Sequence, residues 1–234
     1  MHGQDGATAE VGLNGSLKLY SYWRSSASYR VRIALNLKGL PYEIVPVHLT
    51  ADGGQQHTAA FHALNPQEQV PVLEHGHRLI RQSLAIIEYL EETYPAQPLM
   101  PATARDRARV RGLAQLIACD IHPLNNLRVL QFFENEWNVP QPEREAWVRR
   151  WIEVGFAALE DLLVDNPSTG DFCEGEIPSL ADCCLVPQVY NAKRFGVDLT
   201  PYPTITRIND YCLSLHAFDT ARPERQPDAP APNR

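Results

Sequence analysis

Three prolines within the eight residues 94–101 divide this chain into two stretches of different hydrophobic periodicity. Upstream, short β-rich runs alternate with helical ones, while downstream almost every apolar residue recurs at helical spacing. Residues 17–23 read as a strand. Val31, Ile33, Ala34, Leu35 and Leu37 then give 29–38 a broad buried helical face, closed by Gly39. Residues 42–49 read as a second strand, in which Pro46 marks an edge or a bulge. This β-α-β unit of about thirty residues implies a parallel pair joined by a right-handed crossover. A short helix over 55–64, a hairpin over 70–80 turning at His75-Gly76-His77, and a helix over 84–93 with Ser83 as its N-cap complete the stretch. The order β-α-β-α-β-β-α makes one mixed sheet covered by helices.

Beyond the prolines, 105–136 reads as a long helical stretch bent at Pro123. A second helix spans 143–164, with Trp147, Trp151, Val154, Leu159 and Leu162 on or near one face. Ser179-Leu180-Ala181-Asp182 has the Ser-x-x-acid form of a capping signal ahead of an apolar helix, and 204–215 is the last helix. A length of 234 residues accommodates two small domains, an α/β domain over 17–97 and an all-helical one over 98–221. Residues 1–16 offer almost nothing to bury and read as a disordered leader. Residues 222–234, with four prolines, read as an extended or disordered tail.

Composition serves mainly to exclude. Apolar residues at 44% and charged residues at 21% rule out a disordered chain, a collagen-like repeat and a coiled coil. No apolar run approaches the roughly 18 residues of a membrane span, and the leader has neither a signal-peptide core nor transit-peptide arginines. A soluble, cytoplasmic chain with no membrane partner is expected. The net charge of −7 argues against nucleic acid as a partner. Five scattered cysteines without a Cys-x-x-Cys pair read as buried free thiols, forming neither a disulfide framework nor a thiolate zinc site. His75 and His77 read as a polar turn, so no metal is expected. Arg105, Arg107, Arg109 and Arg111 alternate between helix faces and read as solvated surface.

Ser25-Ser26-Ala27-Ser28 is the segment where chemistry is expected, because it lies between a strand and a helix N-terminus. Unpaired backbone N–H groups and the positive end of the helix dipole favour an anion there. A serine at this place can be a plain N-cap, and the same donors would also lower the pKa of a thiol. Gln82-Ser83, at a second helix start in the same domain, offers an amide, a hydroxyl and free backbone donors to a carboxylate. Val70-Pro71 opens a strand where a cis bond would leave the Val70 backbone free for a peptide-like ligand.

The run from Tyr20 to Gly39, the Val70-Pro71 pair, Gln82-Ser83-Leu84-Ala85-Ile86-Ile87-Glu88-Tyr89-Leu90, and Leu180-Ala181-Asp182 through Val186-Pro187-Gln188 together resemble the zeta-class glutathione transferases. The similarity extends from about Leu17 to Pro227. It implies a thioredoxin-like N-terminal domain, an all-helical C-terminal domain, a homodimer and glutathione as cofactor. The resemblance assigns the thiol end of glutathione to the loop Ser25 to Arg30, with Ser25, Ser26 and Ala27 at the cofactor, the cysteinyl backbone to Val70 and Pro71, the γ-glutamyl end to Gln82 and Ser83, and the glycyl end to Gln56. Where the family often has Ser-Ser-Cys, this chain has Ala27, so the sulfur must come from glutathione.

The implied reaction is glutathione-dependent cis–trans isomerisation of a maleyl double bond, maleylacetoacetate to fumarylacetoacetate in tyrosine and phenylalanine breakdown. A C=C bond does not rotate until a nucleophile converts it to a single bond; reversible thiolate addition does this and regenerates the thiol. Ser25, Ser26 and Arg24 are the expected catalytic groups. Arg24, Arg128, Arg194 and Asn126 are expected at the small dicarboxylate substrate, since arginine suits bidentate carboxylate recognition. His122 reads as a core or capping histidine. The alternatives are isomerisation of maleylpyruvate, or transfer of glutathione to small α-haloacids, with a non-catalytic binding protein on the same fold as a third reading. A chain of net charge −7 that takes anionic ligands must concentrate its arginines at one cleft.

Overall fold

In β1 (Leu17–Ser21) buried and half-buried side chains alternate, as the period of two requires. The structure, a computed structural model, describes residues 15–231, so most of the expected leader and the last three residues lie outside it. After β1 come α1 (Ser26–Leu37), the edge strand β2 (Tyr42–Pro46), α2 (Ala59–Leu64), the hairpin β3 (Val72–His75) and β4 (Arg78–Arg81), and α3 (Ser83–Thr93). The sheet order is β2-β1-β3-β4, with β1 parallel to β2 and the other pairs antiparallel. Pro46 ends the edge strand opposite Ser21, where its missing N–H costs little. Gly39, at φ 65°, ends α1 in the left-handed conformation that glycine adopts without strain.

The remaining described elements are helical: α4 (Ala104–Gln115), α5 (Leu127–Asn135), α6 (Gln141–Leu163), α7 (Leu180–Arg194), α8 (Pro203–Ser214) and α9 (His216–Thr220). The stretch expected to be one helix bent at Pro123 is instead broken. After α4 the chain widens into a π-turn over Leu116–Ile121, tightens into a 3-10 turn over His122–Asn125, and starts α5 afresh from Asn126. The break turns Asn125, Asn126 and Arg128 toward the α/β domain. On α6 the buried stripe is Val148, Ile152, Phe156, Leu159 and Leu163. Val154 and Leu162, expected on that face, are exposed.

α7 is the central helix, with twelve of its fifteen residues buried. Ser179 caps it: its Oγ accepts from the Ala181 N–H, and Asp182 reaches back to the Ser179 N–H at 2.8 Å. One continuous apolar core runs from Leu19, Ile33 and Leu35 through α7 to Phe156 and Ile208, so the two halves share it. The proline stretch is pinned by a buried ion pair, Lys38 Nζ to Glu91 at 2.7 Å, with Lys38 also donating to the carbonyls of Tyr94 and Gln97. A smaller cluster of Tyr22, Val47, Phe61, Val70 and Val72 supports the other side of the sheet.

Three further expectations need correcting. Residues 222–231 do not form a free tail: Pro223–Arg225 makes a 3-10 turn, Gln226 is buried, and Asp228 accepts from the Trp23 N–H at 2.9 Å. Arg109 is not solvated surface; it donates to the Cys173 carbonyl at 2.7 Å and pairs with Glu174. Cys119 is exposed, whereas the other four cysteines are buried. Among the described residues no helix is long and apolar enough to cross a membrane.

Candidate active site

Ser25 precedes α1 with extended backbone, and its Oγ accepts from the Ser28 N–H at 3.2 Å. The plain N-cap reading is therefore realised, but it uses only one lone pair. The hydroxyl hydrogen remains free to donate. A helix leaves its first N–H groups without intrahelical partners; with Ser28 capped, those of Ser26 and Ala27 remain, and both residues line a cleft of about 260 Å³. Positive helix-end potential, two N–H donors and one O–H donor thus converge on one spot.

The same cleft takes in Arg24 from this loop, and Gln56 and Val70 from the far side of the sheet. Asn126, Arg128 and Arg194 enter from the helical half. An adjoining cleft of about 210 Å³ shares Ala27, Val70, Asn126 and Arg128, and adds Pro71, Gln82 and Ser83. The Val70-Pro71 bond is cis. Every residue expected at the site therefore lines one of two joined clefts between the α/β and helical halves.

Several local devices hold these groups. Gln56 is buried, donates to the Leu49 carbonyl at 3.2 Å, and keeps its Oε1 without a partner among the described residues. It fits because residue 54 is glycine, at φ 98°; a Cβ there would lie 2.5 Å from the Gln56 amide. The N-cap of α3 is Gln82, not Ser83 as expected. Gln82 takes φ 72° and ties its amide to Gln67 at 2.8 Å, while Ser83 lies inside the first turn, where its Oγ accepts from buried Arg30 at 3.2 Å. Asn126 caps α5 by accepting from the Arg128 N–H. With the Gln69 amide oxygen turned toward it, the Arg128 guanidinium donates there at 3.0 and 3.2 Å.

Charge is distributed unevenly. Arg24 and Arg194 have no carboxylate partner within salt-bridge distance among the described residues, and the two repel each other. Burial first, and then Arg24, lowers the pKa of Arg194. Each guanidinium lies over an aromatic face, Arg24 on Trp23 at 5.2 Å and Arg194 on Phe195 at 4.6 Å. Glu68 is the single acidic residue lining either cleft among the described residues. Its carboxylate is taken up by His57 at 2.6 Å and His62 at 2.9 Å, and those hydrogen bonds hold its pKa low. Facing cations without an internal anion favour a ligand that brings carboxylates.

Reading the sequence alone misses three groups here and places Arg30 only as the end of the thiol-holding loop. Asn125 is buried with both amide atoms unpartnered among the described residues, and Gln69 and Asn191 line the first cleft. Arg30 is buried and lines the second. The reading of His122 as a core histidine is half right, because the ring is largely enclosed yet borders both clefts. Among the described residues no group of His, Cys, Asp and Glu is arranged to hold a metal.

Residues 19–98 match the family described as glutathione S-transferase, N-terminal domain. A probable maleylacetoacetate isomerase of Vibrio cholerae is 54% identical over 214 residues, spanning 92% of this chain and 99% of the relative. Among solved structures, a holo maleyl pyruvate isomerase, described as a bacterial glutathione-S-transferase in zeta class, superposes with a TM-score of 0.89 at 50% identity, covering 91% of this chain and all of that one. A maleylacetoacetate isomerase from Methylobacterium extorquens AM1, solved with bound malonate and GSH, gives a TM-score of 0.87 at 46% identity over 92% of this chain and 100% of that one. Likeness of this extent covers both halves of the fold and both walls of the cleft. The chain belongs to the maleylacetoacetate isomerases of the zeta-class glutathione transferases.

Proposed function

We propose that this chain is a glutathione-dependent cis–trans isomerase that converts maleylacetoacetate to fumarylacetoacetate. The observation that carries the reading is the meeting of a helix N-terminus bearing Ser25 with Arg24, Arg128 and Arg194 across one cleft. Bound glutathione supplies a thiolate that adds to the alkene and leaves again after rotation, so it is not consumed. Ser25 donates its free O–H to the sulfur and, with the Ser26 and Ala27 N–H groups, favours thiolate over thiol. Val70 and Pro71 take the peptide part, Gln56 the glycyl end, and Gln82 with Ser83 the γ-glutamyl end. The free first-turn donors of α1 and α3 fit a peptide-like ligand of this kind.

Arg24 and Arg194 repel each other, and a substrate carboxylate between them would stabilise both. Arg128 and Asn126, from α5 and its N-cap, line the same cleft and serve the other carboxylate. The relative from Methylobacterium extorquens, solved with bound malonate and GSH, supports a dicarboxylate as substrate. A homodimer in the cytoplasm completes the reading. Maleylpyruvate, a shorter dianion, is a second candidate substrate, favoured by the close likeness to a maleyl pyruvate isomerase.

Maleylacetone, a stable stand-in for maleylacetoacetate, tests the reading. It should be isomerised only when glutathione is present, with the free thiol undiminished at completion. Stoichiometric loss of thiol would make the chain a transferase, and turnover without glutathione would remove the thiolate mechanism altogether.

A further inference from the structure

Arg30 is an unusual residue to find inside a helix that packs on the core. Its side chain is 2% exposed, and no carboxylate lies within salt-bridge distance among the described residues. One guanidinium nitrogen donates to Ser83 Oγ at 3.2 Å and another reaches His122 Nδ1 at 3.0 Å, while Nε has no partner among the described residues. Ser83 opens α3 in the α/β half, and His122 lies in the 3-10 turn of the helical half. A single cation therefore bridges the α/β and helical halves beside the second cleft.

The consequence follows from donor inventories. A guanidinium can only donate, so Ser83 Oγ and His122 Nδ1 must both accept from it. The Ser83 hydroxyl hydrogen is then directed elsewhere, and the imidazole must carry its proton on Nε2. Nε2 has no protein partner among the described residues, and both His122 and Ser83 border the second cleft. Two groups that are ordinarily free to accept or donate are thus both fixed as donors.

We infer that Arg30 is a positioning residue for the isomerisation: it locks His122 in the Nε2–H tautomer and Ser83 as a hydroxyl donor, so that both present hydrogen-bond donors to anionic ligand oxygens. The inference rests on the glutathione-dependent reading above. Ser83 serves the glutathione carboxylate. His122 serves the substrate oxygen that gains charge as the sulfur–carbon bond forms and the alkene electron pair moves onto the conjugated carbonyl. A neutral imidazole suits that role, because it donates a hydrogen bond without surrendering its proton and so lets the addition reverse.

The groups facing His122 all oppose its protonation. Burial acts most strongly, and Arg30 from α1 and then Arg128 from α5 add to it, holding the imidazole down to about 3. Cys184 of α7 and Cys119 of the π-turn are the titratable groups beside Arg30. Burial raises the Cys184 thiol to about 11, so it brings no negative charge at neutral pH.

The test begins with the intact protein without glutathione, labelled with ¹⁵N-histidine, the His122 signal being identified by its loss in His122→Asn. His122 should show a pyridine-type Nδ1 and a pyrrole-type Nε2, unchanged between about pH 5 and pH 8, where an ordinary histidine titrates. A proton on Nδ1, or titration within that range, would overturn the inference. This readout needs no bound glutathione, so it stands or falls apart from the assigned activity.

The kinetic arm then asks whether the tautomer matters. Arg30→Met should raise KM for glutathione and lower kcat, each by about tenfold or more. In a His122→Ala background its further effect on kcat should vanish while the effect on KM persists. Purely additive losses in kcat would assign Arg30 to structure alone. Arg30→Lys, which keeps the charge but cannot serve both partners at once, should recover one parameter and not both; it replaces Arg30→Met in the cycle if that variant does not fold.

Discussion

Ser25 has two roles that can be separated by substitution. As N-cap its Oγ accepts from the Ser28 N–H, worth about 1 kcal/mol of stability. As a donor to sulfur it contributes only when the thiolate is bound. Ser25→Ala should therefore lower stability by about 1 kcal/mol and kcat by about 10²–10³, the range for losing one preorganised donor to a charged centre. Ser25→Asp keeps the cap but opposes the thiolate, so thermal unfolding should recover while turnover does not. If both variants lost activity only in proportion to stability, the donor role would be wrong. Ser25 was legible because a serine between a strand and an apolar helical run has few other uses. The buried, bridging place of Arg30 was not, beyond its position at the end of the loop the resemblance gives to the thiol, since an arginine within an amphipathic pattern is ordinarily assigned to solvent. A signal was nevertheless available: Arg30 and Arg32 are interleaved with Val31, Ile33 and Ala34 in a run with no polar face left to expose.

At the level of elements, local chemistry was most readable where a cap or turn residue has one conformational answer. Gly39 at the end of α1, the hairpin β3–β4 and the Ser179–Asp182 capping box are of this kind. Patterns set by distant neighbours were less readable. The Trp147 indole donates to the Leu124 carbonyl at 2.7 Å, which ties α6 to the broken stretch before α5. No periodicity within 105–136 reveals that break. Helix α7 has the strongest local determinant. Asp182, fully buried, accepts from the Ser179 N–H and Oγ at 2.8 Å and from the Cys173 N–H at 2.9 Å. Asp182→Ala would strand all three donors in the core, each worth about 1–3 kcal/mol. The expected loss is at least about 3 kcal/mol, or roughly 6–12 °C in Tm for a chain of this size. Asp198→Ala removes a similar carboxylate from an exposed turn and should shift the melting curve far less. Equal shifts would show that α7 does not depend on its cap.

Over the whole molecule, the segment after α9 joins the last residues described to the loop where chemistry begins. Asp228 holds the Trp23 N–H from 205 positions away in sequence, and Glu224 accepts from the Tyr190 hydroxyl at 2.6 Å. Buried Arg32 completes the frame, donating to the Ala221 and Trp23 carbonyls at 3.0 Å and to Ser21 Oγ at 3.1 Å. Burial lowers Arg32 to about 10, which still leaves it charged at neutral pH. Proline-rich composition suggested a free tail because the groups that dock it lie at the other end of the chain, where no local pattern could reveal them. Arg24 and Ser25 immediately follow Trp23, so the strap fixes the backbone that aims both. Asp228→Ala should therefore cost only about 1–2 kcal/mol in unfolding, the price of one lost hydrogen bond, yet lower kcat by about tenfold through misaligned catalytic groups. Asp228→Asn retains an acceptor oxygen and should restore most of that rate. Removal of residues 222–234 should reproduce the kinetic defect of Asp228→Ala, measured with maleylacetone at saturating glutathione. An undiminished kcat in the shortened chain, at a temperature where it remains folded, would show that the loop holds its geometry without the strap.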